Sequence, residues 1–138
     1  MTKAREIMTP DATCVSASDT VLDAAKLMAE HDVGALPICG EDNRLKGMLT
    51  DRDIVVRVLA EGMDPRALHA GELAQGEVVT VGADDDAETV MRTMAEHRVR
   101  RLPVIDGHKL VGIVAQADVA RALPNSETGE LVEALSFR

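Results

Sequence analysis

The sequence contains the same unit twice, and this duplication is the feature that most limits its fold. Residues 28–37 (MAEHDVGALP) recur as residues 94–103 (MAEHRVRRLP), with seven of ten positions identical at an offset of 66. Further on, residues 47–49 (GML) match 112–114 (GIV), and Asp53 matches Asp118 at an offset of 65. Matches that keep this order indicate an internal duplication.

Each copy predicts the order strand, helix, strand, strand, helix. In the first copy Thr20 is a candidate N-cap with Asp23 three residues later, and an apolar helical face begins at Val21. One copy alone buries only about 60% of its unfolded surface, so the two copies must pack together. The predicted fold is a mixed α/β (α+β) protein of two tandem β-α-β-β-α repeats, related by a pseudo-twofold axis with a cleft between them.

The repeat also sets the predicted domain boundaries. Residues 1–66 form the first repeat with its N-terminal segment and linker, and residues 67–124 form the second. Residues 125–138 are a tail in which Leu131, Val132 and Leu135 make an apolar stripe. This tail has no counterpart in the repeat, and we expect it to be helical and to contact a partner subunit of a homodimer.

Composition excludes several classes of function. The net charge is −9 and Phe137 is the only aromatic residue, so the chain lacks both the basic surface and the stacking rings that nucleic-acid binding uses. No apolar stretch reaches the roughly 18 residues of a membrane span, and no signal-peptide core is visible, which predicts a cytoplasmic protein without membrane contact. No catalytic constellation and no metal triad appear, so neither an enzyme nor a metal site is predicted.

The sequence resembles the CBS-domain family in two segments, Val33–Pro37 and Gly47–Asp53, and in their counterparts after residue 99. The likeness covers residues 4–123, and the chain is similar to a tandem pair, or Bateman module, of the small stand-alone kind. This resemblance implies that an adenosine-containing ligand (AMP, ADP, ATP or S-adenosylmethionine) binds in the cleft, with no obligatory cofactor. It also implies a regulatory homodimer that acts on an unknown protein effector in trans.

The first copy carries two polar residues at the point where its last predicted strand is followed by a helix. Thr50 places a hydroxyl, and Asp53 a carboxylate, at the start of that helix. A hydroxyl with nearby free N–H groups suits a phosphate, and a carboxylate suits the two hydroxyls of a ribose. The resemblance assigns these two parts to the same residues. The alternative is that Thr50 and Asp51 only cap the helix.

The second copy departs from this pattern. Ala115 stands where Thr50 stands, while Asp118 keeps the carboxylate. Arg100 and Arg101 replace Gly34 and Ala35. The resemblance implies that basic residues at these positions bind ligand phosphates, for which the guanidinium group is well suited, and the alternative is that they balance an acidic surface. One asymmetric ligand site is therefore expected rather than two equal ones. The predicted ligand-binding residues are Thr50, Asp53, Asp118, Arg100, Arg101 and Gly34.

The two cysteines, Cys14 and Cys39, both lie in the first copy, and neither is repeated in the second. They are either inert thiols, a disulfide within one chain or a disulfide between subunits. A bridge would suit a stress-response protein. Two functions thus remain open: a regulatory module that senses an adenosine nucleotide, and a structural or stress-response dimer with a vestigial cleft.

Overall fold

The computed structural model describes residues 2–74 and 78–123. Contacts divide the chain into two compact units, one of Thr13–Val78 and one formed by the residues up to Ala12 together with those from Val79 onward. The predicted helix in the tail at 125–138 lies outside the described residues. The elements in chain order are α1 (Ala4–Ile7), β1 (Thr9–Pro10), β2 (Val15–Ser16), α2 (Val21–His31), β3 (Ala35–Cys39), β4 (Leu45–Thr50), α3 (Asp51–Asp53), a π-helix (Ile54–Leu59), a 3₁₀ helix (Ala70–Leu73), β5 (Val81–Gly82), α4 (Ala87–His97), β6 (Arg101–Asp106), β7 (Lys109–Ala115) and α5 (Gln116–Ala122).

In the unit Thr13–Val78 a three-stranded sheet has the order β2-β3-β4. Strands β2 and β3 are parallel, whereas β3 and β4 form a hairpin in which Ala35 pairs with Thr50. The predicted N-cap of α2 is confirmed, because Thr20 Oγ1 accepts from the Asp23 amide at 3.1 Å and Asp23 Oδ2 accepts from the Thr20 amide at 3.1 Å. This reciprocal pair fixes where α2 starts, and the apolar face of α2 therefore packs on the sheet.

The helix that follows β4 begins as α3 and continues as the π-helix Ile54–Leu59. Three valines and an isoleucine crowd the preceding turn, which disfavours a tight α-helix. The wider turn still buries Ile54 and Val58 in the core. Val55 and Leu59 remain more than half exposed, so this helix leaves apolar surface uncovered.

The other unit repeats the pattern with one strand more. Its sheet has the order β1-β7-β6-β5, in which Arg101 of β6 pairs with Ala115 of β7. Helices α4 and α5 supply Val90, Met94 and Val119 to its core. The mixed α/β fold, with the same order of elements in both repeats, is thus confirmed.

The unit boundaries differ from those expected from the repeat. Residues 1–12 pack with the second repeat, where the amide of Ala4 donates to Asp85 O at 2.8 Å. Residues 67–74 pack with the first repeat in the same manner, since the amide of Ala70 donates to Asp19 O at 2.8 Å. Each repeat is therefore completed by the segment that precedes the other one. Backbone hydrogen bonds make these contacts, which side-chain patterns do not reveal.

Candidate functional site

Thr50 and Asp53 lie together at the end of β4 and hold each other in place. The amide of Asp53 donates to Thr50 Oγ1, and the amide of Thr50 donates to Asp53 Oδ2, both at 3.0 Å. A hydroxyl that accepts one hydrogen bond keeps its own proton to donate, and a carboxylate has about four acceptor positions. Both side chains are partly exposed, so the pair offers a donor and an acceptor to a ligand.

Gly34 belongs to the same end of the unit Thr13–Val78. Its carbonyl oxygen accepts from the amide of Asp51 at 2.9 Å, directly beside the Thr50–Asp53 pair. A Cβ at position 34 would lie 3.1 Å from Asp51 Oδ2. A side chain here would therefore require the carboxylate of Asp51 to shift by a few tenths of an ångström. The structure thus places the predicted residues Thr50, Asp53 and Gly34 at the same end of this unit.

The predicted residues of the second repeat also meet at one end of their own unit. The amide of Gln116 donates to Arg100 O at 2.8 Å, and Arg101 lies opposite Ala115. Asp118 Oδ2 accepts from the amide of Ala115 at 2.8 Å, as Asp53 does from Thr50. Because Ala115 has no hydroxyl, this end of the unit keeps the carboxylate and lacks the second polar group.

A third arginine, Arg98, accompanies the two that the sequence singled out. It has a left-handed backbone with φ of 53°, at the C-cap of α4. Arg98, Arg100 and Arg101 are exposed, and within the described part of the chain none of them forms an ion pair. The corresponding C-cap in the first repeat is Asp32, also at φ of 53°. The alignment of Asp32 with Arg98 was the signal in the sequence that could have revealed this charge difference.

Cys14 and Cys39 form a disulfide within the chain, with their Cα atoms 5.8 Å apart. The bond lies beside the parallel pair of β2 and β3, where Ser16 is the partner of Cys39. Cys39 is buried and Cys14 is half-buried. The cross-link closes a loop that contains the whole of α2, so it ties the first strand of this unit to the second.

Residues 2–74 and 78–123 contain neither a metal-binding cluster nor a membrane-spanning helix. No group of three His, Cys, Asp or Glu side chains is placed to hold a metal ion in these ranges. No helix within them is long and apolar enough to cross a membrane. An open pocket lies at the other end of the first sheet from Thr50, lined by Ser16, Ala17, Ser18, Glu41, His69, Gly71 and Glu72.

Comparison with known proteins identifies the family. The CBS domain matches residues 4–60 and 70–125. The chain belongs to the CBS-domain family and carries two such domains. Proteins of this family are generally regulatory.

Individual relatives are similar over nearly the whole chain. Hypoxic response protein 1 of Mycobacterium tuberculosis (strain H37Rv) is 52% identical over 135 residues, which cover 98% of this chain and 94% of that protein. A crystal structure of Hypoxic Response Protein I with two coordinated zinc ions has a TM-score of 0.83 at 54% identity and covers 89% of this chain and all of that one. A crystal structure of CBSX2 in complex with AMP has a TM-score of 0.76 at 28% identity, over 88% of this chain and 96% of that one.

Proposed function

We propose that this protein is a regulatory module that binds an adenosine nucleotide. The residues to which we assign the ligand are Thr50, Asp53 and Gly34 in the unit Thr13–Val78, and Asp118, Arg100 and Arg101 in the other unit. The observation that carries the proposal is the reciprocal hydrogen bonding of Thr50 and Asp53, in which the amide of each residue donates to the side-chain oxygen of the other at 3.0 Å and so fixes both side chains at the same helix start. CBSX2, a structural relative, was crystallised with AMP, which supports this class of ligand.

Charge favours a ligand that carries phosphate. Arg98, Arg100 and Arg101 present three guanidinium groups without an acidic partner in the described residues, in a chain whose net charge is −9. Guanidinium groups bind phosphate oxygens in a bidentate manner and repel other cations. We therefore expect AMP, ADP or ATP to bind more tightly than S-adenosylmethionine, whose sulfonium is positive.

Ligand binding would act on a partner surface. A nucleotide that prefers one arrangement of the protein shifts the population toward that arrangement, and the partner then responds to the shift. The partner is an effector protein in trans, and we expect the homodimer of this protein to bind it. The exposed apolar side chains of the π-helix support a dimer contact.

Calorimetry and thermal unfolding with AMP, ADP, ATP, adenosine and S-adenosylmethionine test the proposal. A ligand at 100 times its dissociation constant stabilises the folded protein by about 2.7 kcal/mol. We expect a rise in melting temperature with the phosphorylated ligands that exceeds the rise with adenosine. The proposal fails if millimolar concentrations of every ligand leave the unfolding curve unchanged and calorimetry detects no heat.

A second function, a structural or stress-response dimer, is favoured by one observation. Thr50 and Asp53 already satisfy each other as a helix cap, so both residues have a structural role without any ligand. Under this function the Thr50→Ala variant loses about 1 kcal/mol of stability, and no nucleotide alters its unfolding or that of the parent protein. The same titrations therefore separate the two functions.

A further inference from the structure

Arg57 lies between the carboxylate of Asp53 and the carbonyl oxygen of Leu73. Its Nη1 donates to Leu73 O at 3.1 Å and lies 3.6 Å from Asp53 Oδ1. The side chains of Arg57 and Asp53 are 30% and 26% exposed, so water screens their attraction only in part. One nitrogen thus connects the proposed ribose-binding carboxylate to a backbone group sixteen residues away from the arginine.

The backbone that Arg57 contacts belongs to a firmly packed element. Leu73 ends the 3₁₀ helix Ala70–Leu73, and its side chain lies in the same core cluster as Ile54 and Val58. The next residue, Ala74, packs closely on Gly47. A Cβ added at position 47 would lie 2.8 Å from the Cβ of Ala74. This helix is the last described element before the chain enters the other unit at Val79.

The second repeat provides an internal comparison. Asp118 also pairs with an arginine of its own helix, Arg121, but that side chain is 71% exposed. Within the described residues Arg121 donates to no backbone carbonyl. Arg57 follows Asp53 by four residues, whereas Arg121 follows Asp118 by three. The link from carboxylate to backbone is therefore a property of the first repeat.

We propose that Arg57 is a positioning residue that holds the carboxylate of Asp53 for ligand hydroxyls and couples its occupancy to the 3₁₀ helix Ala70–Leu73. The carboxylate accepts from the Thr50 amide and faces Arg57, and it still has acceptor positions for two hydroxyls. A ligand that orders Asp53 thereby orders Arg57 and the carbonyl that Arg57 contacts. The ligand-dependent half of this inference rests on the proposed function, whereas the coupling in the free protein does not.

Amide hydrogen exchange of residues 68–74 in the free protein tests the coupling. We expect exchange to be about tenfold faster in Arg57→Gln, which corresponds to about 1.4 kcal/mol. Asp53→Ala also speeds exchange, and the double variant exchanges no faster than Arg57→Gln alone. Thr50→Ala controls for loss of the helix cap, and Arg66→Gln controls for loss of one positive charge, since Arg66 pairs only with Asp64 among the described residues. Unchanged exchange in Asp53→Ala, or additive effects in the double variant, would overturn the coupling.

The ligand-dependent half is measured with AMP. We expect the affinity for AMP to fall about tenfold in Arg57→Gln and to recover in Arg57→Lys, which keeps a cation at this place. AMP should slow exchange of residues 68–74 in the parent protein but not in Arg57→Gln. Equal affinity and equal exchange response in both proteins would show that Arg57 does not position the carboxylate. If the parent protein does not bind AMP, the same measurements are made with ADP or ATP. If it binds none of the tested ligands, the proposed function fails, and the exchange of the free variants still decides the coupling.

Discussion

Gly112 of β7 and Thr9 of β1 lie so close that a Cβ at position 112 would be 2.6 Å from the carbonyl oxygen of Thr9. The sulfur of Met8 would lie at the same distance. Because a backbone atom does not yield as a flexible side chain does, only glycine allows β1 to join this sheet. The strand that precedes the first repeat is therefore held by the second.

The first prediction follows from this contact. Gly112→Ala should destabilise the fold by about 1–3 kcal/mol, because the added methyl group forces β1 away from β7. Denaturant unfolding measures the loss, and Gly82→Ala is the control, since its Cβ would meet only side-chain atoms of Asp85 at 3.4 Å or more. An equal loss in the two variants would contradict a specific effect of the strand contact.

The second prediction concerns the two carboxylates of the proposed site. Asp53→Ala should weaken binding of AMP by about 2 kcal/mol, and Asp118→Ala should weaken it less, because only the first repeat offers a hydroxyl as well. Arg100→Ala and Arg101→Ala should weaken AMP and ATP while leaving adenosine nearly unaffected. Titration calorimetry compares the four variants. Equal losses for Asp53→Ala and Asp118→Ala would show that the site is not asymmetric.

The third prediction is a dependence of stability on pH that involves Asp84. A hydrogen bond from the Arg5 side chain, together with the charges of Arg5 and Lys3, lowers the pKa of Asp84 below its ordinary value. Arg5 also contacts Asp106. The folded protein therefore releases the Asp84 proton more readily than the unfolded chain does, and stability rises with pH through this range. This contribution is present above about pH 4 and is lost as pH falls through the lowered pKa.

Thermal unfolding of Asp84→Asn as a function of pH measures this effect. The variant should melt below the parent protein at pH 7, and the two melting temperatures should converge as the pH falls through the lowered pKa of Asp84 and the carboxylate becomes protonated. High salt should also reduce the difference, because both partners are exposed. The control is Glu41→Gln, whose exposed carboxylate has no ion pair in the described residues. A difference that does not shrink as the pH is lowered from 7 into the acid range would show that the charge of Asp84 is not its source.

The fourth prediction concerns the disulfide between Cys14 and Cys39. The bond closes a loop of 25 residues, so reduction should lower the free energy of unfolding by roughly 3 kcal/mol. Thiol titration of the denatured protein without reductant should detect no free thiol, and a non-reducing gel should show a monomer. Cys14→Ser/Cys39→Ser should unfold like the reduced protein. Two free thiols per chain would contradict the bridge, and a reductant-sensitive species of doubled mass would place it between subunits.

The fifth prediction is a homodimer that uses the apolar surface of the π-helix. Val55, Val56, Leu59 and Met63 are 44–56% exposed, whereas the positions equivalent to Val55 and Val56 in the second repeat are Ala120 and Arg121. Light scattering should report twice 14.8 kDa for the parent protein and 14.8 kDa for Val56→Asp. Asn43→Asp adds the same charge at the exposed turn between β3 and β4 and should leave the mass unchanged. A parent mass of 14.8 kDa at micromolar concentration would contradict the dimer.

The sequence alone determined the repeats, their strands and helices, and the place of Thr50 and Asp53 at a helix start. Apolar periodicity and helix caps depend on residues only a few positions apart, so they are visible in a linear sequence. The tertiary structure decided which segment completes each repeat, that the two cysteines bond within one chain, and what Arg57 contacts. These relationships connect residues 16 to about 100 positions apart through backbone groups and close approaches. Every residue carries the same backbone donors and acceptors, so the sequence marks such contacts only indirectly, as Gly112 does for β1 and Gly47 does for Ala74.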